Sequence, residues 1–524
     1  MSVDYDHTSA RDLSTFGYPQ ELVRKVGSYA SFAAGFSFVS IMTTVFQLFG
    51  LGYSFGGTAF FWTWPAVLVG QLLVALCFAE LAARYPISGA IYQWSRRMGG
   101  SVVGWFAGWT MVIAQTITIA AAAIALQVVL PIVWSGFQII GTDTSVASRD
   151  GAANAILLGL ALLVVTTLIN AFSVKLTARV TSIGVTCELI GVALLVVLLF
   201  GHAERGPSVI VHHTNLDGST GYVVPLLVSS LMAAYVLVGF DSAGELAEET
   251  HAPRRTTPRT IIRAVLASGV GGAFLIVAAL MAAPSLGVDD LGLGGLPYVI
   301  TSQLGTFWGK LLLLDVAFAV TVCTLAIQTA AARMFFSMAR DHVLPFSKQL
   351  SRVSPKTEVP VLATVVPGVG AALFLVVNIG NAGLFLALSS VCIMLLYIAY
   401  LLVTVPLLKE RLAGRFPTGG VDETGRPLFS LGRLGVPINI VAVLFQLVMA
   451  WNLGWPRAEV YDPYGAGWAV HYLPILVLVV TYGVGYVAYR AQKPAYEAAI
   501  GLTPAASSRA VGVDGIDGLE GEPA

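Results

Sequence analysis

The chain has 524 residues, of which 56% are apolar and only 11% charged, and its 29 Lys and Arg balance 29 Asp and Glu. Soluble proteins carry about 25% charged residues, so this composition excludes a water-soluble globular protein and describes a polytopic membrane protein. The four cysteines, Cys77, Cys187, Cys323 and Cys392, lie inside apolar runs. They have neither the context of a disulfide framework nor zinc spacing, and no metal or other cofactor is expected.

In chain order, residues 1–25 are polar with mixed charge and have no apolar core before a cleavage site, so they read as a cytoplasmic tail and not as a signal peptide. Twelve apolar stretches follow, each near the roughly 20 residues that a bilayer requires. They fall at 29–50, 59–83, 101–131, 152–171, 177–200, 222–246, 261–284, 306–338, 360–380, 383–408, 434–455 and 471–489. The expected fold is therefore all-α, with twelve transmembrane helices in a domain of residues 26–490. Residues 491–524 are rich in Gly, Ala, Pro and acids and read as a disordered cytoplasmic tail.

Charge placement gives the orientation. With the N-terminus inside, only Arg149, Arg205, Lys310 and Arg457 fall on the outside, and the other 25 Lys and Arg fall inside. That bias predicts cytoplasmic N- and C-termini by the positive-inside rule.

Inside the spans, acids are the informative residues. A charge at mid-membrane costs about 2.5–3.5 kcal/mol or more, so such residues face an interior cavity. Asp241 lies near the end of the sixth span, between Gly239 and Gly244 in GFDSAGELAEETHAPRRTTPRTI. The glycines let the helix unwind, and broken backbone at membrane depth is tolerated where it lines a cavity. Three roles are open for Asp241: substrate contact, N-cap of a second half-helix, or titration. Glu188 stands near the middle of the fifth span. It is a candidate for binding and releasing a proton, for ligating a cation, or for a structural hydrogen bond between helices.

Three motifs carry a resemblance. FAELAARYPISGAIYQW (Phe78 to Trp94), GFDSAGELAEETHAPRRTTPRTI (Gly239 to Ile261) and RMFFSMARDHVLP (Arg333 to Pro345) resemble, in order and spacing, signatures of the amino acid–polyamine–organocation superfamily. GFSFVS and the FDSAGE form look most like its amino acid/choline transporter branch. The resemblance implies two interleaved five-helix repeats of opposite topology, broken first and sixth helices, and two peripheral helices at the end. It also implies a permease and not an enzyme, working by alternating access in the plasma membrane. The expected partners are an amino acid or related amine, a coupling proton or sodium ion, and the lipid bilayer, with no nucleic acid. This chain departs from the pattern in the first helix. Where relatives carry a glycine-rich break, it reads Ser37-Phe38-Val39-Ser40-Ile41-Met42-Thr43-Thr44, with its nearest glycine at Gly35.

A broken helix offers N–H groups at one new end and carbonyls at the other. The substrate carboxylate is assigned to the first break, at Ser40, Ile41, Met42, Thr43 and Thr44. The ammonium is assigned to the second, at Val238, Gly239, Phe240, Asp241 and Ser242, with Phe240 as an outer gate. Proton or sodium coupling is assigned to Glu188 and Asp241. Glu80, Glu248, Glu249, Arg333 and Arg340 lie at cytoplasmic helix ends and are read as inner-gate ion pairs. Asp315, five residues from Lys310, reads as interfacial. Proton coupling is the favoured reading. Alternatives within the class are a choline, 4-aminobutyrate or polyamine transporter or an amino acid exchanger. The rival in another class is an ion channel, which no carbonyl-filter motif supports.

Overall fold

A computed structural model describes residues 13–146, 148–211, 222–377, 384–422, 424–461, 465 and 467–502. Residues 1–12 of the first tail, the 380–383 junction between the ninth and tenth stretches, and residues 503–524 of the second tail lie outside these. The protein is an all-α polytopic membrane protein. Among the described residues, nine helical stretches are long and apolar enough to cross a bilayer. Two shorter apolar helices, Val223–Val236 and Val361–Val377, join them, and the first long stretch, Ser28–Arg84, takes in two of the predicted segments.

The main helices are α1 (Ser28–Val39), α2 (Ile41–Gly56), α3 (Thr63–Arg84), α4 (Ala90–Ala123), α5 (Arg149–Phe172), α6 (Val174–Gly201) and α7 (Val223–Val236). After them come α8 (Pro253–Ala282), α9 (Leu293–Arg340), α10 (Val361–Val377), α11 (Leu384–Leu412), α12 (Gly435–Gly454) and α13 (Leu473–Leu502). Helix α13 runs past the boundary that the sequence sets at residue 490.

Local chemistry sets several boundaries. Ser148 caps α5 by accepting the Gly151 N–H at 2.9 Å. A single extended residue, Ser173, separates α5 from α6 and caps the second by accepting the Lys175 N–H at 3.2 Å. Gly295 and Gly305, with φ +56° and +68°, interrupt α9, the second of them just before residue 306, where the sequence sets the start of the eighth stretch.

The apolar windows of the stretches containing α4, α9 and α11 are 78%, 72% and 72% buried, while those of α12 and α13 are only 33% and 17% buried. Outward-facing Val164, Leu168, Ile190, Val197, Val480 and Val487 are exposed, as expected for helices that present apolar side chains to lipid.

Candidate functional site

The first break falls at one residue. Ser40 separates α1 from α2 with φ +35° and ψ +92°, a conformation unusual for a residue with a side chain. Its hydroxyl explains how glycine is dispensed with. Ser40 Oγ accepts the Thr43 N–H at 3.4 Å and lies 2.7 Å from Thr43 Oγ1 and 2.9 Å from Glu188 Oε1. The hydroxyl of Thr44 bonds back to the carbonyls of Val39 and Ser40, at 3.1 and 2.7 Å.

Glu188 is buried at mid-length in α6, and its carboxylate reaches the break itself. Glu188 Oε1 accepts the Met42 N–H at 3.1 Å, and the amide of Ile41 also faces it. Of the donors that the sequence reading gave to a substrate carboxylate, the Ser40 hydroxyl and the Met42 amide are thus held, in this conformation, by the chain's own carboxylate. Glu188 Oε2 is buried without a hydrogen-bond partner.

Asp315 is not simply interfacial. It reaches in from α9 to the place where Gly191 has no side chain, one turn along α6 from Glu188. A Cβ at Gly191 would lie 1.7 Å from Asp315 Oδ2.

The second break follows α7. Leu237 to Asp241 are non-helical before a single turn, Ser242–Glu245. Gly239 has φ +91°, which favours glycine, and a Cβ there would sit 1.8 Å from Phe38 Cδ1. The two breaks therefore touch. Ser242 Oγ also donates to the Ala34 carbonyl at 3.3 Å, joining the second break to α1.

Asp241 occupies the N-cap position of that turn, yet its carboxylate makes no cap hydrogen bond. It accepts the Tyr400 hydroxyl of α11 instead, and that same oxygen accepts the Gly239 N–H at 3.0 Å. Asp241 Oδ2 is buried with no partner. Val238 and Phe240 are buried beside it. Phe240 packs with Phe78 and Tyr400, at centroid distances of 5.9 and 5.6 Å, and Phe78 also meets Trp94 at 5.5 Å. This aromatic cluster involves the last turns of α3 and the first turns of α4. On the other side of the break, Tyr235 and Leu231 of α7 line a cavity of about 250 Å³, including its open mouth, with Leu48, Ser389 and Leu453.

Beside the parts of α1, α6 and α9 that carry Ala34, Thr181 and Ala330, a cavity of about 450 Å³, including its open mouth, is lined by these residues and Ser242. Glu249 and Arg333 form part of its wall as a buried bidentate pair, with Arg333 Nη2 3.2 Å from Glu249 Oε2. Arg340 holds Glu248 through two bonds of 2.8 and 2.9 Å. These four predicted gate residues come together. Glu80 does not join them. It accepts Arg411 at 2.6 Å, Ser430 at 2.8 Å and the Leu431 N–H at 3.1 Å, because the segment after α11 folds back onto the end of α3.

Sequence reasoning missed Tyr400, Tyr18 and Glu245. Tyr400 is one of 18 tyrosines and carries no local signal. Tyr18 lays its ring on Arg340 at 4.1 Å and donates to Asp341 at 2.8 Å. The segment that carries it continues to Val26, which bonds to the Glu249 carbonyl at 2.9 Å, so it straps the ion pairs from below. Glu245 had a signal, as an acid within the FDSAGE motif. It is fully buried, facing the amides of Gly89, Ala90 and Ile91 at the start of α4.

A family model described as "Amino acid permease" matches residues 28–482. The chain belongs to that family. It is 27% identical to the amino-acid permease BAT1 of Arabidopsis thaliana, over 85% of this chain and 88% of the relative. It is 24% identical to a GABA-specific permease of Saccharomyces cerevisiae (85% and 78% covered) and 25% identical to a putative polyamine transporter of Candida albicans (93% and 89%).

Proposed function

We propose that this chain is a secondary active permease that imports an amino acid or a related amine by alternating access, driven by protons. The observation that carries this reading is the contact between the two helix breaks, with Glu188 buried at the first and Asp241 and Glu245 buried at the second. Glu188 and Asp241 each keep one oxygen without a partner at mid-membrane. A buried carboxylate left half-satisfied is costly, and a cation or proton meets that need.

In this reading Asp241 receives the ammonium of the substrate, steered by Tyr400, and Glu188 takes up and releases the coupling proton. The Glu249–Arg333 and Glu248–Arg340 pairs close the inner side and part when it opens. Twelve helices arranged as two inverted five-helix repeats plus two peripheral ones, with both termini cytoplasmic and the plasma membrane as the site, complete the proposal. The names of the yeast relatives favour 4-aminobutyrate and polyamines as the first amines to try.

Uptake into proteoliposomes tests it. An inward proton gradient should drive saturable accumulation of at least one amino acid or amine, and a protonophore should abolish it. Uptake of none of a panel of amino acids, 4-aminobutyrate, choline and polyamines would remove the proposal. Uptake that follows a sodium gradient and ignores the protonophore would replace the proton.

A further inference from the structure

We infer that Glu188 and the carboxylate of a transported amino acid compete for one anion site, the N-terminus of α2, and that protonation of Glu188 hands the site over. The inference rests on the reading of the chain as a proton-coupled permease.

The first four N–H groups of a helix have no partner within it. In α2 three of them are hydrogen-bonded and the fourth, at Ile41, faces the same acid. Met42 N–H donates to Glu188 Oε1 at 3.1 Å, and the Ile41 amide faces the same carboxylate. Thr43 N–H donates to Ser40 Oγ at 3.4 Å and Thr44 N–H to the Ser40 carbonyl at 3.0 Å. Glu188 is therefore bound as a carboxylate ligand would be, at the positive end of a 16-residue helix.

Among the described residues, no cationic side chain faces Glu188. The charged or titratable groups that face Glu188 from the helices packed on α6 are Asp315 and Cys323, both on α9. The arginines of α8, Arg254, Arg255, Arg259 and Arg263, sit in its first three turns, and Arg149 and Asp150 begin α5 at the other end. From α1 and α2 the contacts are Ser40 and Met42, which are neutral. A second carboxylate here gains no cation to offset its repulsion of the first, and that repulsion is strong in a low-dielectric interior.

A proton removes the conflict. It passes from water on the entry side to a Glu188 oxygen, and no bond in the substrate is made or broken. Neutral Glu188 holds the amides more weakly, since hydrogen bonds to an ionised acceptor are about twice as strong. The carboxylate of the substrate then takes the Ile41 and Met42 amides, while its ammonium goes to Asp241. One proton enters for each carboxylate. An amine without a carboxylate has no reason to displace Glu188, so its binding is not linked to this proton.

The experiment uses the full chain in proteoliposomes and in detergent, with two probes. 4-Aminobutyrate carries an ammonium and a carboxylate, and putrescine carries two ammonium groups. Half-saturation for each, as substrate or as competitor of a transported amino acid, is measured across a pH series. In the wild type, 4-aminobutyrate should weaken towards tenfold per pH unit as Glu188 loses its proton, and putrescine should not. In Glu188→Gln the 4-aminobutyrate curve should be flat. Ser40→Gly removes a donor from Glu188 without straining the positive φ, so it should extend tight 4-aminobutyrate binding to higher pH. It also serves if the Gln variant fails to fold. A Gln variant that keeps the wild-type slope, or a putrescine curve as steep as that of 4-aminobutyrate, overturns the inference. If wild-type vesicles still accumulate substrate under a proton gradient, the permease reading survives that result. If they take up nothing from the panel, both fall.

Discussion

The hydroxyl of Tyr400 stands between the two ends of the α7 break, accepting the Gly239 N–H at 3.0 Å and donating to Asp241 Oδ1. One side chain of α11 thus fixes both the backbone turn and the acid that we assign to the ammonium. Tyr400→Phe keeps the ring in its aromatic cluster and deletes only the oxygen. Hydrogen bonds to charged groups contribute about 1.5–3 kcal/mol, so apparent KM should rise about tenfold to a hundredfold while membrane insertion is normal. An unchanged KM would take Asp241 out of the binding site.

Gly239 has no tolerance for a side chain. Its φ of +91° disfavours any L-residue, and a Cβ would run into Phe38 Cδ1 at 1.8 Å. Strain of about 1–3 kcal/mol from the backbone adds to about 1–3 kcal/mol of overpacking. Gly239→Ala should cut transport severely, and Gly239→Leu should abolish it, with expression and insertion intact. Wild-type uptake kinetics in Gly239→Leu would separate the second break from the transport site.

The legibility of this region was uneven, and the reason is physical. Gly239 and Asp241 were readable because a glycine and an acid within an apolar run are local signals. The first break was placed within Ser40 to Thr44 by the resemblance, but its exact residue was not legible, because a serine replaces glycine only when its hydroxyl finds partners, and one of those, Glu188, lies 148 residues away. Glu188 itself was singled out by depth, yet its destination depended on how α6 packs against α1 and α2. Arg333 and Arg340 met Glu249 and Glu248 as charge and position suggested. Glu80 was drawn to Arg411 by a loop whose path no periodicity encodes.

Phe240 is fully buried against Phe78 and Tyr400. Phe240→Ala should cost about 3–5 kcal/mol of stability, seen as a lower melting temperature in detergent, and should raise KM by loosening Tyr400. Phe240→Tyr or Phe240→Trp should be milder. Tyr235→Ala, on the outer side of the break, should instead increase leak of preloaded substrate with little change in melting temperature. The reverse pattern would return the outer gate to Phe240.

Breaking the Glu249–Arg333 pair should bias the chain toward an open inner side. Removing one partner of a buried pair costs about 3–5 kcal/mol, a shift of about two to four orders of magnitude in the closed-to-open ratio. In Glu249→Gln, a cysteine placed at Ala330 in the inner cavity should react faster with an impermeant thiol reagent from the cytoplasmic side. The double swap Glu249→Arg with Arg333→Glu should slow it again. Equal labelling in all three would make the pair a fixed brace.

The most direct test of proton-coupled permeation through these two breaks is a comparison of gradient-driven uptake with exchange in Glu188→Gln proteoliposomes. The Gln side chain keeps the shape of the protonated acid but cannot release a proton. The variant should fail to concentrate substrate under an inward proton gradient and should still exchange labelled for unlabelled substrate across the membrane. Accumulation equal to wild type, with the same pH dependence, would contradict the account.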